Sequence, residues 1–599
     1  MKGAPRDRSR TGPADRAPLA RITGPLIEHG LVLAGCLLTT LIMTYPLIRV
    51  FKAHVAGAGG DTYTFVWNLW WVRKALTEPG LSLFHTDYLY YPDGVSLAFH
   101  SLTLLNGLVS IPLQPLVGLV GAYNLLILSG FVFGAWGAYL LVREVTGRRG
   151  PALFAAFVFG FSPYHAANAM VDLNIASIQF IPLALYGVAR WRRTRRDRDA
   201  CLAGVLFALT GLSDWYYLVF TVFAAAVLLG TGWLAAGRPR PARAALRQGA
   251  LAGAVALLLM APVLWPLARE MVRGASFENP GEEKDYSADL AAYVTPSSFQ
   301  PLFRDHVNPL YARMSGNIFE NTVTPGFVVL LLGVMGTLGA HGSSRRGRDG
   351  SPRPERLPWI ALALAAFVLS LGPVLQIAGR SLGSGGYLPY AWLVMKAPLL
   401  QHLRVPSRFA VLVSLALAVL AAFGLGDLLD FARARGLPRD AGAWSSTARR
   451  DSTLLAGAFL LATFELWPGR FPTTRIPVPA FFEAVGRDPG DYTILGLPTE
   501  EWAATVLAMD YQTVHGKRLV NGFVARLPAG TRERLAAWKR LPPDHALLVK
   551  DRVRFIVFFT NGGVLPWEAR AMSTFDRIPW LHRIDVRDDS IVVYEVDWN

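Results

Sequence analysis

The chain alternates between long apolar runs and short basic segments, a pattern neither of a soluble helix nor of a strand. The first run, Leu31 to Val50, is long enough to stay in a bilayer and follows no signal-peptide cleavage pattern. Placing spans between the basic markers predicts about eleven transmembrane helices, at roughly 31–50, 122–142, 151–163, 174–190, 200–214, 216–236, 245–266, 324–341, 357–377, 409–430 and 453–467. Ser101–Val120 is also apolar, but counting it would put Arg148 and Arg149 on the wrong side. Its prolines, Pro112 and Pro115, weaken it as a through-helix, so it is expected to lie along or dip into the outer face.

The basic clusters set the orientation. Lys2, Arg6, Arg8, Arg10, Arg16 and Arg21 place the N-terminal segment 1–24 in the cytoplasm, as do Arg143/Arg148/Arg149, Arg190–Arg198, Arg238–Arg247, Arg345–Arg356 and Arg433–Arg450 for their loops. The predicted fold is therefore an all-α polytopic membrane protein, N-in and C-out. Its transmembrane domain, 25–467, carries external loops at 51–121, 268–323 and 378–408. After residue 468 the pattern changes. Asp491–Pro498, Val553–Phe559 and Ser590–Val596 have strand character and Thr531–Lys539 looks helical, which predicts a small extracytoplasmic α/β domain over 468–599.

Composition agrees with a membrane chain: 52% of residues are hydrophobic, 17% are charged and the mean hydropathy is +0.32. The excess of 59 Lys+Arg over 43 Asp+Glu sits in the segments between spans, so it marks topology rather than nucleic-acid binding. Both cysteines, Cys36 and Cys201, fall in apolar runs, which implies no disulfide framework. P-loop, GxSxG, HExxH and paired CxxC patterns are missing, so nucleotide hydrolysis and zinc-protease chemistry have no support.

Three external clusters could carry chemistry. In Gly59-Gly60-Asp61-Thr62-Tyr63-Thr64-Phe65-Val66-Trp67-Asn68-Leu69-Trp70-Trp71, a carboxylate precedes an aromatic segment at headgroup depth. Such an acid is costly unless it is paired or accepts a proton, whereas the rings alone suit an interfacial belt. In the turn from Phe161 to Asn174, His165, Asn168, Asp172 and Asn174 offer ligand atoms without any Lys or Arg, although Asp172 or Asn174 also suits helix capping. In Gln401-His402-Leu403-Arg404-Val405-Pro406-Ser407-Arg408, two arginines run against the positive-inside trend and suit an anionic head group. An ion pair with an external carboxylate is the alternative. Asp214 and Glu320-Asn321 are weaker candidates.

With these residues assembled, the chain resembles the polyprenyl-phosphate-dependent membrane glycosyltransferases of the GT-C superfamily, which include protein O-mannosyltransferases, lipid A aminoarabinose transferases and YfhO-like proteins. The layout over roughly 25–235 carries it, with Gln401–Phe409 and Tyr511–Gly522 pointing to the YfhO-like branch. Asp61 occupies the place of the superfamily's first-loop acid and Asp172 that of its second. Thr62 stands where relatives often have a paired acid, and a WWD motif is missing. The resemblance implies transfer of a sugar from a polyprenyl-phosphate carrier to a glycan, lipid or protein acceptor at the outer face of a bacterial plasma membrane. It implies Asp61 and Asp172 as catalytic residues, and Arg404, Arg408, His402, Tyr63, Trp67, Trp70, His165 and Asn168 as substrate-binding ones. The superfamily is divided on a divalent metal. A transporter or lipid flippase, or a degenerate scaffold, are the rival readings.

Overall fold

The computed structural model describes residues 17–235, 243–272, 282–339, 356–383, 385–396, 403–435, 443–499, 501–527, 529–560, 566–586 and 588–598. The basic segments 1–16, 238–242 and 345–355, and His402, lie outside the described residues.

A helix occupies each of the eleven expected positions, and among the described residues six segments are long and apolar enough to cross a membrane: Leu26–Met43, Leu104–Thr146, Leu173–Thr194, Trp215–Ala235, Arg243–Val272 and Pro406–Ala434. Arg149–Gly160, Phe327–Leu338 and Leu357–Ser370 are helices of only 12 to 14 residues. The first helix ends at Met43, seven residues earlier than its apolar pattern, because a tight turn through Leu47–Arg49 leads the chain into a short strand, His54–Ala56.

The segment 101–120 resolves at a glycine. Its helix begins at Leu104 and continues by hydrogen bonding to Thr146, but Gly118 inside it has φ 79 and ψ 170. A backbone in that region is open to glycine and closed to residues with a Cβ. Two helices therefore meet there. The break falls at Gly118 rather than at Pro112 or Pro115, the residues from which the sequence argument started.

The helix Ala410–Arg435 runs through the middle of the bundle, with 94% of its apolar window buried. Phe327–Leu338 lies against it at backbone contact. A Cβ on Gly424 would stand 1.9 Å from the Leu332 carbonyl oxygen, and one on Gly336 would stand 2.0 Å from that of Leu420. Small residues let helices approach this closely, which is where packing energy comes from when lipid removes the hydrophobic drive.

Beyond the bundle, five strands form one mixed sheet in the order Leu581–Ile584, Ile591–Val596, Val553–Phe559, Thr493–Leu497, Arg518–Leu519. The first three pair antiparallel and the last two join in parallel. Three of these strands coincide with the expected stretches. The two short outer ones were not legible, being too brief to show alternation. The C-terminal segment is stitched to the first loop: Thr473–Arg475 pairs antiparallel with His54–Ala56, His54 opposite Arg475. The helix Trp502–His515 packs on the loop helix Asp61–Thr77, where Trp67 Nε1 donates to Gln512 Oε1 at 2.7 Å.

Candidate active site

Asp61 is aimed by glycines and by a bonded loop. Gly57, Gly59 and Gly60 all have positive φ, and Gly60, at φ 70, is the residue before the helix Asp61–Thr77. Asn124 pins the approach, accepting from Ala56 N at 2.8 Å and donating to the Phe51 and His54 carbonyls. Ala58 N then donates to the Met170 carbonyl at 2.9 Å, which joins the first loop to the turn that carries Asp172. Asp61 sits in the first helical turn, where a negative charge is favoured by the helix dipole.

Asp172 occupies the cap position of the short helix Leu173–Ala176, yet its side chain makes no capping bond. Its carboxylate instead accepts from Arg408 Nη2 at 3.4 Å. Arg408 is committed more tightly to Glu320, donating to Oε1 from Nε at 2.9 Å and from Nη2 at 2.8 Å, while Ser407 Oγ donates to Oε2 at 2.8 Å. The guanidinium also lies over the Tyr216 ring, 5.2 Å from its centroid. Nearby, Asp214 accepts from Asn174 Nδ2 at 2.8 Å and from Tyr217 N at 3.0 Å. Four carboxylates thus gather around one arginine at the same end of the bundle.

The electrostatics follow. Burial pushes the Asp61 carboxyl above the ordinary range; Arg408 opposes this and Glu320 adds to it. Asp172 is raised by burial and then by Asp61 itself, against the pull of Arg408. Asp61 and Asp172 are therefore a coupled pair that resists full ionisation. Among the described residues, no three His, Cys, Asp or Glu side chains converge as a metal-holding group.

Residues 32–435 match the profile of a family described as a domain of unknown function, DUF6311. The chain belongs to this family. No curated protein matches the chain. Among solved structures, the arabinofuranosyltransferase AftD from Mycobacteria resembles it at 17% identity and a TM-score of 0.57, over 96% of this chain and 42% of that one. The chain therefore spans less than half the length of that neighbour. ArnT from Cupriavidus metallidurans, in a structure bound to undecaprenyl phosphate, gives 13% identity and a TM-score of 0.47, over 96% of this chain and 98% of that one. The archaeal oligosaccharyltransferase AglB from Archaeoglobus fulgidus, in complex with an inhibitory peptide and a dolichol-phosphate, gives 14% and 0.44, over 89% and 69%. The likeness to AftD shows that this DUF6311 member shares its fold with that protein.

Within the DUF6311 fold the expected site residues divide. Asp61, Asp172 and Arg408 converge. The expected free arginine pair does not form, because Arg408 is ion-paired with Glu320 and Asp172. Arg404 is held through its backbone, its N–H donating to Tyr216 Oη at 2.9 Å. Trp67 is fully buried and stacked on Trp71 with centroids 5.6 Å apart, so it offers a ligand no face and serves the loop-helix core instead. Trp70 is half-buried beneath Lys74, whose Nζ lies 5.5 Å from the ring centroid. His165 is buried with both ring nitrogens bonded, to the Gly160 and Ala176 carbonyls at 2.6 and 2.8 Å, which makes it a turn anchor rather than a ligand. Asn168 is buried and donates from Nδ2 to the Tyr164 carbonyl at 2.8 Å. His402 falls outside the described residues.

Glu320 and Asp214 are the residues that pattern reading undervalued. Glu320 sits in a loop full of acids, and nothing local separates the buried one from the solvated ones. The usable signal was Arg408 itself: a buried arginine demands a carboxylate partner.

Proposed function

We propose that this protein is a membrane glycosyltransferase that moves a sugar from a polyprenyl-phosphate carrier to an acceptor hydroxyl at the extracytoplasmic face of a bacterial plasma membrane. The observation that carries the reading is the convergence of Asp61 and Asp172 on Arg408. Acids that repel each other in a buried site keep a raised proton affinity, which suits a base that must take a proton during reaction. The shared fold with an arabinofuranosyltransferase supports sugar transfer as the reaction class.

In this reading Asp61 takes the proton of the acceptor hydroxyl as its oxygen bonds to the anomeric carbon. The bond from that carbon to the carrier phosphate breaks, and its electron pair leaves with the lipid phosphate. Asp172, kept protonated by burial and by the neighbouring Asp61 charge, orients the acceptor. Arg408 stays anchored by Glu320 and turns from its long contact with Asp172 toward the departing phosphate, with Arg404 nearby in sequence to share the charge. The unit after residue 468 closes over the acceptor side.

The test is product formation. Purified chain in liposomes holding a polyprenyl-phosphate-linked sugar should release the free polyprenyl phosphate and form a glycosylated product. Movement of the intact carrier or sugar across the bilayer, with no product, would instead establish a transporter.

A further inference from the structure

The loop helix Asp61–Thr77 and the helix Trp502–His515 meet beside Asp61, and the seam between them holds polar groups that packing does not use. The approach is close at its head: a Cβ on Gly60 would stand 2.7 Å from the Trp502 ring, so only glycine fits there. Trp502 nonetheless remains 41% exposed, an open aromatic face beside the first-loop acid. Tyr63 Oη lies 3.1 Å from where a Cβ on Gly59 would be, and it forms no hydrogen bond among the described residues. Asp510 is only 5% exposed, and its carboxylate has no hydrogen-bond partner among the described residues either.

A buried carboxyl with no partner is expensive, since each unmade hydrogen bond forfeits the solvation of that group. Burial alone pushes Asp510 up to about 7, so near neutral pH its protonated, hydrogen-bond-donating form is well populated. Its charge, when present, also acts on Tyr63, which places the two groups on the same seam. The helices cannot slide to relieve the cost, because Trp67 and Gln512 clamp them deeper in the interface. Two unpaired hydrogen-bonding groups and a half-open indole are the set that a neutral sugar satisfies: hydroxyls for the first two, a C–H face for the third.

We propose that Tyr63, Asp510 and Trp502 form a carbohydrate subsite across this seam, holding the acceptor sugar with one hydroxyl turned toward Asp61. The subsite rests on the transferase reading above. It binds the acceptor rather than the donor, because it lies on the C-terminal-unit side of Asp61, whereas Arg408 and Glu320 lie on the bundle side. It also gives the C-terminal unit a direct part in choosing the acceptor.

The experiment uses the detergent-purified full chain and a panel of neutral methyl glycosides, hexopyranosides and pentofuranosides, with binding read by saturation-transfer NMR. Wild type is expected to bind at least one member. Asp510→Leu and Tyr63→Phe are expected to weaken that binding about tenfold, the worth of one hydrogen bond. In the transfer assay the same variants should raise the acceptor KM by a similar factor while leaving kcat and the carrier KM within about twofold. Asp510→Leu is close in size to the carboxyl it replaces, and an unchanged melting profile would show that the loss is local. Asp61→Asn should keep glycoside binding while losing transfer. If wild type binds no member of the panel, or if both variants bind as wild type does, the subsite is overturned. If glycosides bind normally but wild type forms no product, it is the transferase reading that fails.

Discussion

The two ends of the helical bundle use the same charged residues to opposite effect. At the end carrying the basic loops, Arg148 meets Asp430 at 2.5 Å and Arg247 meets Asp197 at 2.8 Å, with side chains 40% or more exposed on every partner. Arg433 pairs with Asp451 and Arg193 with Glu144 in the same region. Water and counter-ions solvate the Arg148–Asp430 and Arg247–Asp197 pairs, and each contributes between nothing and about 1 kcal/mol. At the other end, Arg408 and Glu320 are only 14% and 5% exposed at 2.8 Å, and Asp172 shares the arginine. There, desolvation costs more than a surface pair could return, and the carboxylates outnumber their cation. Stability alone does not account for that arrangement, whereas the proposed transfer reaction would.

The contrast can be broken from either side. The largest effect on stability is expected from Glu320→Ala, which leaves Arg408 buried with only the long Asp172 contact; removing one partner of a buried pair costs about 3–5 kcal/mol. A thermal-shift measurement should register a clear fall in melting temperature, and an unchanged value would mean that Arg408 reaches water. Asp172→Asn is expected to leave the acid limb of the transfer rate raised above the ordinary carboxylate range, because burial and Glu320, which raise Asp61, both remain and Asp172 is the partner that the Asp61 charge keeps protonated. A limb that moves down would show that Asp172 carries the negative charge when Asp61 titrates. Gly60→Ala should weaken the docking of Trp502–His515, since both the positive φ and the 2.7 Å approach to Trp502 oppose a side chain. Greater proteolysis of the C-terminal unit would register this. The smallest change belongs to the basic end: Arg247→Ala should alter stability by less than about 0.5 kcal/mol, within the scatter of the same thermal-shift assay.

What the sequence made legible follows from what is local. Apolar length and basic loops are local, and they gave the helix positions and the strand stretches Thr493–Leu497, Val553–Phe559 and Ile591–Val596. Asp61 was legible because a lone acid ahead of an aromatic helix is costly wherever the chain folds. Trp67 and His165 misled for the converse reason. A tryptophan or histidine in a polar-looking loop reads as a ligand until its partners are known, and those partners, Gln512 and the Ala176 carbonyl, come from other elements. Glu320 was obscured by equally acidic neighbours, since burial is decided by tertiary contact with Arg408, 88 residues away. The Gly118 break was also hidden, because an apolar run with one glycine reads the same straight or bent.

The buried cluster at Asp61 is proposed to perform sugar transfer. The most direct measurement compares wild type and Asp61→Asn, reconstituted at equal levels in liposomes with a polyprenyl-phosphate-linked sugar, counting glycosylated acceptor formed per unit time. Loss of a general base predicts a fall of about 10²–10⁴-fold in rate, with insertion and melting profile unchanged. A variant that transfers sugar as fast as wild type would contradict the account.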